Sequence, residues 1–194
     1  MFNGIIYNKG LIKNIIKNNK SLYIEVLSKV KFNKSEIGSS VNCNGVCLTL
    51  TSIKKRSIFF YISPETLKKT NFGNVTLNDE INIEKSLSFG QKISGHYTQG
   101  HIDVTGKIKS IKIIDKTWII NILTPKQFQK FLMYKASISI NGVSLTISKV
   151  NKIGFEVAII PHTLTLTNLR NLKKNTVVNV EFDIFSKYLG DLDN

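Results

Sequence analysis

Val41 to Ile53 reads VNCNGVCLTLTSI, and ninety-seven residues further on Ile138 to Val150 reads ISINGVSLTISKV. Asn-Gly-Val, Leu and Thr recur in the same places. The same offset sets Pro64, Thr66, Leu67, Thr70 and Asn71 against Pro161, Thr163, Leu164, Thr167 and Asn168, so the chain is one unit written twice. Asn-Gly beside alternating apolar residues is the strongest short hairpin signal, and each copy therefore predicts a turn followed by a half-buried strand. On that strand Cys47 and Thr49 share one face, as do Ser144 and Thr146. Two matched pairs of small polar groups suit two similar pockets for a flat, polar ligand. The copies part at Cys47 against Ser144 and at Glu65 against His162.

Outward from these stretches the strand signal continues. Leu22 to Leu27, Val46 to Ile53, Ser57 to Ile62, Glu80 to Glu84, Thr117 to Leu123, Val143 to Val150, Phe155 to Ile160 and Val177 to Phe182 are short and rich in β-branched or aromatic residues. Six or so strands in about 95 residues, with turn signals between them, predict an all-β protein, a small closed antiparallel barrel repeated once by duplication. Closure removes the exposed edges that small sheets must otherwise protect. The joint falls at Ser94-Gly95, giving a first barrel over residues 1–94 and a second over 95–183. At an offset of ninety-six, Gly4-Ile5-Ile6 with Gly10 lines up on Gly100-His101-Ile102 with Gly106. Pro125 to Tyr134 predicts a short helix opening on Pro, with Phe128, Phe131 and Leu132 on one side. One or two helical turns are expected after Pro64 and after Pro161. Residues 184–194 read as a short helical tail, with Phe185, Tyr188, Leu189 and Leu192 at helical spacing and Gly190 weakening it by about 1 kcal/mol.

Composition narrows the function classes. The 194 residues carry a formal charge of +14, but almost all of the excess is Lys, with Arg only at Arg56 and Arg170. Phosphate-clamping and base-reading sites favour the Arg fork, and the Lys residues are spread along the whole length, so a solvated basic surface is expected rather than a nucleic-acid site. No apolar run approaches the ~20 residues that cross a bilayer. The N-terminus lacks the layout of a secretory signal, and a cytoplasmic protein is expected. Cys43 and Cys47 flank Asn44-Gly45; in a two-residue hairpin Cys43 faces Val46 and Cys47 faces Asn42, so their sulfurs diverge, and in a single strand their Cα atoms lie too far apart to bridge. Neither a disulfide nor a metal set is expected from them.

Gly95-His96-Tyr97-Thr98-Gln99-Gly100-His101-Ile102-Asp103 places two of the three His residues at the junction of the copies. A lone His is more often a hydrogen-bonded structural residue, but clefts between domains are favoured ligand sites, and a His there can move a proton near neutral pH. The Pro turns Ile62-Ser63-Pro64-Glu65-Thr66 and Ile160-Pro161-His162-Thr163 end strands, and their exposed N–H groups and Thr residues can hydrogen-bond ring carbonyls. No Gly-rich phosphate loop, nucleophile elbow or paired carboxylate motif is present. The residues alone give a duplicated β-barrel with two similar pockets and a His-bearing junction.

Several motifs, in order and spacing, then resemble the riboflavin synthase family over essentially the full chain. They are Met1-Phe2-Asn3-Gly4-Ile5-Ile6, Asn44-Gly45-Val46-Cys47-Leu48-Thr49, Gly95-His96 through Asp103, Asn141-Gly142-Val143-Ser144-Leu145-Thr146, Ile160 to Leu164, and Val180-Glu181-Phe182-Asp183. The resemblance implies two tandem six-stranded antiparallel Greek-key barrels and a cofactor-free, metal-free transferase. It would convert two molecules of 6,7-dimethyl-8-ribityllumazine to riboflavin and 5-amino-6-(ribitylamino)uracil by four-carbon transfer. By position, one pocket would have Cys47, Leu48, Thr49, the turn Tyr61, Ile62, Ser63, Pro64, Glu65 and Thr66, and Gly100, His101 and Ile102, with Lys135 reaching it across a subunit interface. The other would have Gly4, Ile5, Ile6, Ser144, Leu145, Thr146 and the turn Ala158, Ile159, Ile160, Pro161, His162 and Thr163. Ser40, Cys47 and His101 are the implied nucleophile or proton-transfer groups of the first pocket; Thr146 and Asp183 serve the second. A homotrimer and an association with lumazine synthase are also implied. Asn3 stands where the family usually has Thr, and Ser94 where Gly is common. A lumazine-carrying protein without catalysis is the rival reading, and a nucleic-acid-binding double barrel a more distant one.

Overall fold

The structure is a computed structural model that describes residues 1–192 of the chain. Its twelve strands are β1 (Asn8–Asn18), β2 (Ser21–Ser28), β3 (Ser40–Cys43), β4 (Val46–Lys54), β5 (Ser57–Ile62), β6 (Glu80–Lys85), β7 (Val104–Ile114), β8 (Thr117–Leu123), β9 (Ser137–Ile140), β10 (Val143–Asn151), β11 (Gly154–Ile159) and β12 (Val177–Phe182). The first six close an antiparallel barrel in the order β1-β2-β5-β4-β3-β6, and the last six close a second in the order β10-β11-β8-β7-β12-β9. Within each, a three-strand meander is joined by an earlier strand that returns beside it, which is the Greek key.

Each barrel encloses its own apolar core. Ile24, Leu50, Phe60, Phe72 and Ile81 fill the first, and Ile120, Ile122, Phe155, Val157 and Val180 the second. The hairpins at the repeated stretch turn through Asn44-Gly45 and Asn141-Gly142, all four with φ between +48° and +85°, the left-handed pair that Asn-Gly is suited to. Cys43 pairs with Val46 and Cys47 with Asn42, so the two sulfurs diverge and both cysteines are free.

Three short α-helices, α1 (Pro64–Lys69), α2 (Pro161–Leu166) and α3 (Ile184–Leu192), and four 3-10 segments accompany the strands among the described residues. Pro opens α1 and α2 at a position where its missing N–H costs nothing. The helix expected over Pro125 to Tyr134 is instead a tighter 3-10 segment, Lys126–Phe131. It ties down Phe128 and Phe131, whose rings pack on Phe182 at 5.8 and 5.6 Å. The expected tail helix is α3, though residues 193 and 194 lie outside the described residues. Its Gly190 has a positive use: a Cβ there would meet the Lys130 carbonyl at 2.9 Å, so glycine lets α3 sit against the 3-10 segment. Phe185, Tyr188 and Leu189 of α3 face outward and are exposed.

Six asparagines join the barrels about a pseudo-twofold axis. Asn82 Nδ2 donates to the Asn141 carbonyl and to Asn168 Oδ1, both at 2.9 Å, while Asn179 Nδ2 donates to the Asn44 carbonyl and to Asn71 Oδ1 at the same distances. The Asn82 and Asn179 side-chain oxygens accept from the backbone N–H of Asn168 and Asn71. Asn44, Asn82, Asn141, Asn168 and Asn179 are buried and Asn71 is half-buried, yet each finds partners, so the polar seam costs little and fixes one relative placement of the barrels.

Candidate active site

The chain crosses between the barrels at the two segments that the sequence aligned at an offset of ninety-six. Phe2 and Thr98, equivalent in that alignment, exchange backbone hydrogen bonds of 2.9 and 3.2 Å, so the segments pair with each other on the pseudo-twofold. Each then runs past the opposite barrel. The Ser144 N–H donates to the Gly4 carbonyl at 2.8 Å, and the Cys47 N–H to the Gly100 carbonyl at 2.9 Å. Gly4 and Gly100 have φ of +70° and +79°, and a Cβ on either would sit 2.7 Å from the Ser144 or Cys47 Cβ. Glycine is needed for both the backbone conformation and the contact. Two walls result, one of Cys47 with Gly100 and the other of Ser144 with Gly4.

On the first wall Cys47 is half-buried and Thr49 exposed on the outer face of β4. Ser40 lies directly across from Thr49 on β3. His101 follows Gly100 and is exposed, with Ile102 packed at the edge of the first core. Among the described residues the Cys47 sulfur has no hydrogen-bond partner. Tyr61 is exposed and tilts against Tyr23 at 4.9 Å. The Ser63 hydroxyl caps α1, accepting from the Thr66 N–H at 3.2 Å and sharing a 3.0 Å bond with the Thr66 hydroxyl. Glu65 turns away to pair with Lys69 at 2.9 Å. Leu48 and Ile62 point into the core, so what they offer a ligand is backbone.

The second wall has the same frame with other chemistry. Ser144 is half-buried and Thr146 exposed on β10, with Leu145 packed against the core and Ile6 and Ile159 within it. Gly4 and Ile5 run alongside. Ser144 Oγ lies 2.6 Å from His96 Nδ1. His96 is buried, which holds its imidazole below the usual range against the opposing pull of Asp183. The tautomer sets the direction of this bond: with the proton on Nε2, Nδ1 accepts from the Ser144 hydroxyl, and with it on Nδ1 the ring donates to Ser144 Oγ. His96 Nε2 is itself buried and without a partner among the described residues. At the turn, Ala158, Ile160, Pro161 and His162 are exposed and Thr163 half-buried, and Ile160 caps nothing where Ser63 caps α1. Asp183 Oδ1 accepts from the Phe185 N–H at 2.8 Å at the start of α3. Lys135 is exposed at φ +69°, with its ammonium over the Tyr134 ring.

The sequence model of the lumazine binding domain matches residues 3–86 and again 99–183. A riboflavin synthase of Photobacterium leiognathi is 36% identical over 193 residues, covering 99% of this chain and 88% of that one. Another, from Buchnera aphidicola subsp. Schizaphis graminum, is 36% identical over 98% of this chain and 93% of its own. The chain belongs to the riboflavin synthase family. Among solved structures, LumP complexed with riboflavin superposes with a TM-score of 0.84 at 26% identity, over 94% of this chain and 99% of that one. LumP complexed with 6,7-dimethyl-8-(1'-D-ribityl) lumazine gives 0.81 at 26% identity, over 93% and 98%.

Against that family frame, what the sequence left open is the pairing of His96 with Ser144. His96 stood out as one of two junction histidines, but its partner lies forty-eight residues away on β10. Also unassigned were Glu84 and Glu181, each of which binds two backbone N–H groups of a crossing segment. Their signal was present in the repeat, as Asn82-Ile83-Glu84 against Asn179-Val180-Glu181.

Proposed function

We propose that this chain is a riboflavin synthase that dismutates two molecules of 6,7-dimethyl-8-ribityllumazine to riboflavin and 5-amino-6-(ribitylamino)uracil, the last step of riboflavin formation. The observation that carries the reading is one chain holding two copies of one wall, each crossed by a glycine segment from the other half. A reaction whose two substrates are the same molecule needs two similar pockets, and the two products together contain all the atoms of the two substrates. No cofactor or metal enters that balance.

The chemistry requires removal of a proton from the C7 methyl of one lumazine and addition of a nucleophile to the other. In the second pocket the neutral His96 with Ser144 supplies a hydroxyl whose proton has a place to go. Thr146 and the Asp183 carboxylate flank that pair. In the first pocket Ser40, Cys47 and His101 serve as nucleophile or proton-transfer groups, while the Pro64 and Pro161 turns offer hydrogen bonds to the rings. Holding two heterocycles face to face supplies much of the acceleration. Thr49, Thr146, His101 and His162 are all exposed, so each wall needs a cover, and the first pocket of one chain meeting the second pocket of another would provide it, with Lys135 reaching across. The exposed Phe185, Tyr188 and Leu189 of α3 support the homotrimer in which that meeting occurs. A cytoplasmic setting and association with lumazine synthase, the supplier of the substrate, belong to the same reading.

Purified protein given 6,7-dimethyl-8-ribityllumazine alone is expected to form one riboflavin for every two lumazines consumed. Binding of the lumazine without turnover would instead make the chain a carrier. Replacing Cys47 and His101 singly by Ala tests the first-pocket roles, and unaltered turnover in both would remove them.

A further inference from the structure

Glu84 and Glu181 occupy equivalent places near the ends of β6 and β12, and each meets a wall only through the backbone of its glycine segment. Glu84 lies on the first barrel. Its Oε1 accepts from the Asn3 N–H at 2.9 Å and its Oε2 from the Gly4 N–H at 3.1 Å. Those residues belong to the segment whose Gly4 carbonyl accepts from Ser144 on the second barrel at 2.8 Å. Glu181 lies on the second barrel, accepting from the Gln99 N–H at 2.7 Å and the Gly100 N–H at 3.0 Å. Its segment gives the Gly100 carbonyl to Cys47 on the first barrel at 2.9 Å. In both halves a two-pronged carboxylate grips one side of a left-handed glycine whose other side is bonded to the opposite wall.

Two N–H bonds to one carboxyl group fix a segment's orientation as well as its distance. A strand-borne carboxylate is stiff where a free segment is not. We propose that Glu84 and Glu181 are crossed positioning residues: the carboxylate carried by each barrel sets the geometry of the pocket wall on the other. For the ligand the inference rests on the function proposed above, but the crossing itself is a property of the unliganded chain. Each barrel is thereby prevented from shaping its own pocket independently, and a change in either half reaches the substrate held by the other.

The test uses the full chain and the variants E84Q and E181Q, in which one oxygen becomes an amide nitrogen and one backbone N–H loses its acceptor. Amide hydrogen exchange without ligand reads the two crossing bonds directly. In E84Q the Ser144 amide is expected to exchange at least about tenfold faster while the Cys47 amide stays within about twofold of wild type, and in E181Q the reverse. Riboflavin is the ligand probe. Its protection of the Cys47 thiol against iodoacetamide reads the first pocket, and the His162 ring resonances read the second. E181Q is expected to weaken the first about tenfold and E84Q the second. A general loss of stability would raise exchange at both amides and produce no crossing. Exchange rising on the variant's own barrel, or equally on both, overturns the proposal. Should either Gln variant fail to fold, E84D and E181D, which keep the charge but draw it back by one methylene, are expected to show the same crossing at smaller amplitude, and equal effects on both walls would overturn it. If riboflavin alters neither probe in wild type while the exchange pattern crosses as expected, the positioning holds for the fold and it is the lumazine reading that falls.

Discussion

The Cys47 wall and the Ser144 wall share a backbone and differ in what that backbone presents. Each has an Asn-Gly hairpin, a strand with two small polar groups on its outer face, and a left-handed glycine accepting the wall's own N–H at 2.8 to 2.9 Å. The Ser144 hydroxyl, however, sits 2.6 Å from a buried imidazole, whereas the thiol of Cys47 has no such neighbour among the described residues. The turns diverge in the same way: Tyr61, Ser63 and Glu65 stand on one side against Ala158, Ile160 and His162 on the other. The duplication repeats the scaffold, and single substitutions give the two copies different surfaces. Proteins that must treat two identical molecules differently need this kind of asymmetry, because equal pockets could not assign one to give carbon and the other to take it.

The sharpest way to break the comparison is to remove the group that distinguishes the walls. H96A and S144A are each expected to lower kcat by about 10²- to 10³-fold with much smaller changes in ligand affinity, the range for loss of a positioned acid or base. C47A is expected to lower it only about tenfold. Steady-state riboflavin formation checks all three, and a C47A loss as large as that of S144A would make the walls chemically equal.

That distinction was only half legible in the sequence. The substitution of Cys47 by Ser144 was visible at once, because the repeat aligns them, but the imidazole that gives it meaning comes from a segment whose path depends on how the barrels meet. The eight strands read from the sequence are those with β-branched or aromatic alternation. β1 and β7 were missed because their Lys and Asn residues dilute the signal, and register shifts between Ile12 and Asn14 and between Ile108 and Ser110 slip the alternation by one residue. β3 and β9 are four residues each, too short for periodicity to speak. Asn71 and Asn168 were seen as marks of the repeat and not as a weld, since nothing local distinguishes an asparagine in a turn from one whose amide reaches the other barrel.

A second prediction tests whether the scaffold really is symmetric beneath the pockets. N82A and N179A each remove three side-chain hydrogen bonds across the seam and leave buried partners unsatisfied. Both are expected to destabilise the protein by about 3 kcal/mol, read by urea unfolding. Costs that differ by more than about 1 kcal/mol would show that the seam is not shared equally.

Smaller effects separate the pockets from each other. G4A forces a Cβ into a left-handed backbone against Ser144, and G100A does the same against Cys47, each straining its segment by about 1–2 kcal/mol. Riboflavin affinity is expected to fall about tenfold at the second pocket in G4A and at the first in G100A, followed by His162 resonances and Cys47 protection respectively.

The smallest effect lies in pH. Burial raises the carboxyls of Glu84 and Glu181 from 4.5 to about 7, in spite of the N–H groups they accept. A native state that holds protons more tightly than the unfolded chain gains stability at low pH, so their contribution is full below about 4.5 and is lost as pH rises through about 7. The depressed His96 works in the opposite sense, losing stability as pH falls through its usual range. The difference in Tm between wild type and the E84Q/E181Q double variant isolates the carboxyls, and should move against wild type by a few degrees between about pH 5 and about pH 8. A difference independent of pH would mean that both groups titrate normally.

The most direct test of two unequal pockets on one duplicated frame is the number of riboflavin molecules bound per chain, measured by calorimetric titration of the wild-type protein. Two sites per chain with distinct affinities are expected, the second pocket's lost preferentially in G4A and the first's in G100A. A single site per chain, or two sites that weaken together in both variants, would contradict the account.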